Sequence, residues 1–141
     1  MRTILIPVDG SESSNRAVKS AIKAANEFGG ATLHVLTVHP PIVSGNVKRF
    51  FSIEALNDYY QDEGRNALLS AKALLDEAGA SYTEEIAVGP VAQTIADVAK
   101  KKECDLIIMG TRGLGAVTGF VLGSVATKVL GLVDIPVALV K

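Results

Sequence analysis

The sequence predicts an α/β fold, an open and mostly parallel sheet of five strands with helices on both faces. Three observations carry this. Short apolar runs alternate with longer segments of helical periodicity along the whole chain. Several of the short runs, TILIPV and DLIIM among them, are apolar at consecutive positions, as strands covered on both faces are. Turn-forming residues stand at the changes of period, at Asp9-Gly10, Gly29-Gly30, Gly79 and Gly89-Pro90.

Taken in order, Thr3 to Val8 reads as the first strand. Ser11 or Ser13 then caps a helix with Ala17, Ala21, Ala24, Ala25 and Phe28 at helical spacing, and Gly29-Gly30 ends it. Thr32 to Val38, rich in β-branched residues, is the second strand. The next dozen residues, HPPIVSGNVKRF, hold two prolines and a glycine and show no clean period. Ser52 caps a long helical segment to Ala78, with Ile53, Leu56, Tyr60, Ala67, Leu68, Leu74, Leu75 and Ala78 as its apolar stripe and Gly79 as its stop. Ser81 to Val88 is a more polar strand, suited to a sheet edge. Pro90 is expected at the first position of a helix running to about Lys102. Asp105 to Met109 is the fourth strand. A helix is expected near Gly119 to Leu130, closed by Gly131, and Pro136 to Val140 is the fifth strand.

Composition narrows the function classes. A chain of 141 residues suits one domain with one real core, and no composition shift marks a linker. With 21% charged residues and a net charge of −1, the chain lacks the basic face of a dedicated nucleic-acid binder. Cys104, the one cysteine, has no partner for an intrachain disulfide and reads as an inert core thiol. The opening MRTILIPVDG has too short an apolar run for a signal peptide or a membrane span, so a cytoplasmic protein with no membrane partner is expected.

Ligands of open α/β sheets bind beyond the carboxyl ends of the strands, where the strand order reverses. Pro7-Val8-Asp9, Val38-His39, Val88-Gly89 and Met109-Gly110 fall at such ends. The stretch MGTRGLGAVTGFVLGS, Met109 to Ser124, contains Gly110, Gly113, Gly115, Gly119 and Gly123. Glycine admits phosphate oxygens close to backbone N–H groups, and a helix amino end favours negative charge. The Ser124 hydroxyl adds a donor. Asp9 is a hard oxygen ligand that reaches an adenine or ribose group, or a magnesium ion through water; it suits a helix cap or turn equally well. Neither the dinucleotide fingerprint nor the pattern GxxxxGK[ST] is present. Arg112 reads as a solvated loop residue as readily as a phosphate ligand. His34 is expected to be packed within its strand, and His39 lies closer to the site without being assigned to it. Tyr59, Tyr60 and Tyr82 read as packing residues. The scattered histidines and cysteine make no transition-metal site.

The segments ILIPVDGSESS, Val88-Gly89-Pro90, CDLIIMGTRG and GSVATKVLGLVDIPVALV together resemble the universal stress protein family over essentially the full chain. The family's nucleotide-binding members space a glycine, two residues, a glycine, nine residues, then glycine and serine or threonine. Gly110, Gly113 and Gly123-Ser124 meet that spacing, which places the chain with the ATP-binding branch. The resemblance implies the adenine nucleotide alpha hydrolase-like fold, with sheet order 3-2-1-4-5. It implies Pro7 and Asp9 beside adenine and ribose, and Val38 giving backbone contacts to adenine. Met109 and Gly110 would border the ribose and first phosphate, while Gly113, Gly123, Ser124 and Val125 would cradle the phosphates chiefly through main-chain N–H groups. ATP and Mg2+ follow as cofactors, with Asp9 toward the metal. A role in stress tolerance and a homodimer are implied as well. The turn at Val133-Asp134 departs from many relatives, away from this site.

No paired carboxylates, nucleophile elbow or histidine triad appears, so at most a slow ATPase is expected, with catalytic residues unassigned. The alternative is a non-nucleotide interaction module of the same fold, recruiting a protein partner through Pro40 to Phe51; a small flavin or redox domain ranks last. The apolar fifth strand, at an edge in that sheet order, is expected to pair with its copy in a homodimer.

Overall fold

The computed structural model describes residues 2–42, 52–112 and 123–141. Gly113 and residues 43–51 of the Pro40 to Phe51 segment lie outside the described residues, as do Gly115 and Gly119. The elements follow one another as β1 (Arg2–Pro7), α1 (Glu12–Glu27), β2 (Ala31–His39), α2 (Ile53–Glu77), β3 (Tyr82–Val88), α3 (Val91–Lys101), β4 (Leu106–Gly110), α4 (Ser124–Leu132) and β5 (Val137–Val140). The strands form one sheet in the order β3-β2-β1-β4-β5, and every neighbouring pair is parallel.

Burial explains the run pattern of β1. Ile4, Leu5 and Ile6 are all fully buried, because opposite faces of the strand meet different helix layers. Ile4, Ile6 and Val8 join Ala17, Val18 and Ala21 of α1 and Leu68, Ala71 and Leu75 of α2 in one core. Leu5 joins Ala92, Ile95 and Val98 of α3 and Ala126 and Val129 of α4 in the other. At the amino end of β1, Thr3 and Asp105 are locked together. The Thr3 N–H donates to Asp105 Oδ2 at 2.8 Å, and the Asp105 N–H donates to the Thr3 carbonyl at 2.8 Å.

The caps at Ser11 and Ser52 stand as the sequence predicts. The Ser11 hydroxyl accepts from the Ser14 N–H at 3.2 Å, and that of Ser52 accepts from Ala55 at 3.0 Å. Three expectations are corrected. Pro90 precedes the first helical residue of α3 and occupies the cap itself. Gly123 is the cap of α4, with extended backbone (φ −61°, ψ 153°), so this helix opens at Ser124 and no helix runs through Gly123. Gly131 lies inside α4, which ends at Leu132 and passes into extended backbone at Val133. Ile53 is 79% exposed, since the apolar stripe of α2 is only partly covered at Leu56 and first buried at Tyr60. Phe28, half-exposed at the end of α1, carries the Arg2 guanidinium 4.9 Å above its ring.

Candidate functional site

A cavity of about 620 Å³ opens at the carboxyl ends of β1 and β4. These two strands adjoin where the chain order reverses, since β1 is followed in sequence by its neighbour on one side and paired on the other with β4. Pro7, Val8 and Asp9 form one wall, and Leu36, Val38 and Pro40 extend it. Met109, Gly110, Thr111 and Arg112 continue it from β4, and Gly123 to Ala126 close it with the amino end of α4. Val91 and Ile95 of α3 also line it. The volume is ordinary for a small-molecule site. Pro7, Asp9, Val38, Met109, Gly110, Gly123, Ser124 and Val125 are thus brought together around one space.

Asp9 is held from behind. Its Oδ1 accepts from the Ser11 N–H at 3.0 Å, an Asx-type turn, so the turn reading of this residue is also met. Its own N–H donates to the Ser14 hydroxyl at 3.4 Å, and that hydroxyl donates to the Ser11 carbonyl at 3.0 Å. Ser14 is buried and lines the cavity with its oxygen engaged in both directions.

On β2 the site is made by the end of a ladder. Past the end of β1, the Val8 N–H still donates to the Leu36 carbonyl at 2.8 Å. Alternate residues of a strand turn their main-chain groups to the same neighbour. Val38 is the next residue whose N–H and C=O face the β1 side, and it lies past the β1–β2 register, which ends at Pro7↔Leu36. A donor and an acceptor are therefore placed side by side at the cavity wall.

The opposite end is built on close backbone approach. A Cβ on Gly110 would come within 2.9 Å of the Ser13 carbonyl carbon and into its hydroxyl, and one on Gly123 would come within 2.9 Å of the Thr111 carbonyl oxygen. Gly123 donates its N–H to that same Thr111 oxygen at 2.6 Å. The main-chain donors at the start of α4 are then the N–H groups of Ser124, Val125 and Ala126, for which the first turn offers no intrahelical partner. No side chain caps this helix. The Ser124 side chain is on an exposed residue at the rim.

Other candidates fall elsewhere. His34 is 3% exposed, with Nε2–H donating to Glu85 Oε1 at 2.9 Å and Nδ1 2.5 Å from the Thr83 hydroxyl. His39 turns away from the cavity lining and packs edge-on against Tyr59 at 5.6 Å, with Tyr60 at 5.2 Å. The Tyr60 hydroxyl accepts the Ile42 N–H at 2.8 Å. Cys104 is buried, and burial pushes its thiol pKa up, consistent with an inert core thiol. Among the described residues no group of three His, Cys, Asp or Glu is placed to hold a metal ion, and no helix is long and apolar enough to cross a membrane. Leu36, Pro40, Val91, Ile95 and Ala126 join the lining without having been assigned to the site from the sequence.

The sequence model of the universal stress protein family matches residues 1–141. The chain belongs to that family. It is 35% identical to Universal stress protein MJ0531 of Methanocaldococcus jannaschii, over 99% of this chain and 82% of that one. The solved structure of hypothetical protein MJ0577 superposes with a TM-score of 0.84 at 27% identity, covering 99% of this chain and 95% of that one. A universal stress protein crystallised in complex with cAMP gives a TM-score of 0.73 at 28% identity, covering 99% and 97%.

Proposed function

We propose that this universal stress protein binds ATP with Mg2+ in the β1–β4 cavity and acts as a nucleotide-dependent switch in stress response, with slow hydrolysis or none. One observation carries the reading. A strand-end donor–acceptor pair at Val38 and a helix amino end with open N–H groups at Ser124 to Ala126 face the same cavity. The first arrangement suits the adenine edge, where N1 accepts and the N6 amino group donates. The second suits phosphate oxygens, which gain from both the N–H groups and the helix dipole. The apolar wall of Val8, Leu36, Val91 and Ile95 between them suits a base. A relative of the same fold holds cAMP, which supports an adenine nucleotide.

Asp9 fits a magnesium ion that takes most of its ligands from phosphate and water, since such sites use one or two carboxylates. Bound there, the ion would offset phosphate charge, which Arg112 at the same wall also faces. Asp9 is the one carboxylate among the described lining residues, and its Oδ1 already holds the Ser11 N–H. The same reading includes a homodimer paired through β5.

Denaturing the purified protein and chromatographing the supernatant tests for carried nucleotide, and calorimetric titration with ATP and Mg2+ tests for binding. Absence of both released nucleotide and binding heat up to millimolar ATP would sink the reading.

A further inference from the structure

Thr111 stands between the cavity and the end of the last strand. Its N–H donates to the Val140 carbonyl at 2.9 Å, and its own carbonyl accepts the Gly123 N–H at 2.6 Å. One residue is therefore bonded on one side to β5 and on the other to the residue that opens α4. The Val140 carbonyl takes a second donor, the Ser13 hydroxyl, at 3.4 Å. The next carbonyl, that of Lys141, accepts from the Arg16 guanidinium. Both of these donors come from the start of α1, directly after the turn that carries Asp9. Gly110 is seated against Ser13 with no room for a Cβ, so the end of β4 and the start of α1 have little slack between them.

We propose that the Thr111 peptide groups couple occupancy of the cavity to the carboxyl end of β5, so that a nucleotide on the α4 amino end also tightens Val140 and Lys141. The inference rests on the nucleotide reading above and concerns regulation of that same cavity. Oxygens that take the N–H groups of Ser124, Val125 and Ala126 fix the first turn of α4. Fixing Gly123 fixes the Thr111 carbonyl, and the Thr111 N–H then holds the Val140 carbonyl in a narrower range. The coupling is one of shared ordering, with no large displacement required. It is reciprocal by linkage, so whatever orders the end of β5 raises affinity in the cavity.

Residue-resolved amide exchange on the full chain, without nucleotide and with saturating ATP and Mg2+, reads the forward direction. The Thr111 and Val140 amides are expected to slow on the order of tenfold. Amides of β3, whose ladder runs only to β2, are expected to keep their rates. The reverse direction is read by calorimetry on Ser13→Ala and Arg16→Ala, neither of which lines the cavity. Each is expected to weaken ATP binding on the order of fivefold with the far-ultraviolet dichroism retained. Arg16 is exposed, so its variant stays informative if Ser13→Ala fails to fold. ATP that binds the wild type while the Thr111 and Val140 amides exchange unchanged overturns the coupling, as does wild-type affinity in the folded variants. A wild type that binds no ATP at all fails the nucleotide reading first and this inference with it.

Discussion

At Gly123 the loop and the helix cap meet so closely that a side chain has nowhere to go. A Cβ there would lie 2.9 Å from the Thr111 oxygen and 3.5 Å from the Arg112 Cα. The glycine serves this close approach, and its N–H is spent on Thr111, so the donors proposed for phosphate begin one residue along, at Ser124. Gly123→Ala is expected to raise the ATP dissociation constant by about fivefold to a hundredfold, the effect of roughly 1–3 kcal/mol of overpacking at the cradle; calorimetry that finds wild-type affinity would relocate the phosphates. Gly110, Gly123 and Ser124 were legible through the resemblance, because they meet the spacing of the family's nucleotide-binding members. The lining by Leu36, Val91 and Ile95 was not, because helical and strand periods tell which face is covered but not where a covered face falls short. Tyr82 shows the same limit. Its hydroxyl donates to Asp76 Oδ1 at 2.7 Å, a contact made across the Gly79 turn between α2 and β3. That bond, with burial and the charges of Asp76 and Glu84, pushes the phenol up to about 12 from 10.0. The unfolded chain therefore loses this proton first, so the contribution to stability is full below about pH 10 and is lost as pH rises from there to about 12. Absorbance titration at alkaline pH is expected to show a late phenol that is missing in Tyr82→Phe.

Among the elements, three helices end by the same device. The N–H two residues past the C-cap reaches back five residues, from Gly30 to Ala25 at 2.9 Å, Ala80 to Leu75 at 3.0 Å and Cys104 to Ala99 at 2.9 Å. The residue before each of these is left-handed, namely Gly29, Gly79 and Glu103. This is the Schellman arrangement, which glycine enters at no steric cost. The first two stops were legible because glycine marks them. The third was placed at about Lys102, where the cap stands, but its device was not legible, since Glu103 adopts φ 51° without being glycine; the converse misreading arose at Gly131, a glycine that continues its helix. A left-handed residue with a Cβ costs roughly 1–2 kcal/mol. Glu103→Gly is accordingly expected to stabilise the protein by about 1 kcal/mol after the entropy of the added glycine is counted. Urea denaturation with an unchanged slope checks this, and a lower midpoint would show that Glu103 makes a compensating interaction.

For the whole molecule, hydrophobic patterning showed how many strands there are and that they are mostly parallel, but carries no information on which strands are neighbours; the order 3-2-1-4-5 was reached through family resemblance and is the order found. That order leaves β3 and β5 at the edges, and they differ. β3 carries Glu84 and Glu85, with Lys72 bridging Glu84 at 3.1 Å, charges that discourage pairing with another strand. β5 is VALV. Its inner face is set by two bonds, Ile107 N–H to the Pro136 carbonyl at 3.0 Å and Thr111 N–H to the Val140 carbonyl at 2.9 Å. Pro136, Ala138 and Val140 therefore turn their main-chain groups to β4, and Val137 and Leu139 turn theirs outward. The missing donor of Pro136 faces inward and guards nothing at the edge. A second copy pairing on β5 would take up the outward groups about a two-fold axis, and Leu139 is where one substitution separates pairing from packing. Leu139→Pro removes an outward N–H while leaving the β4 ladder intact, a position where an edge strand tolerates proline. Leu139→Ala shortens the side chain and keeps the N–H. Sedimentation equilibrium at micromolar concentration is expected to show a dimer for the wild type and for Leu139→Ala, and a folded monomer for Leu139→Pro. A monomeric wild type would end the dimer proposal, and a Leu139→Pro protein that still dimerises would move the interface off β5.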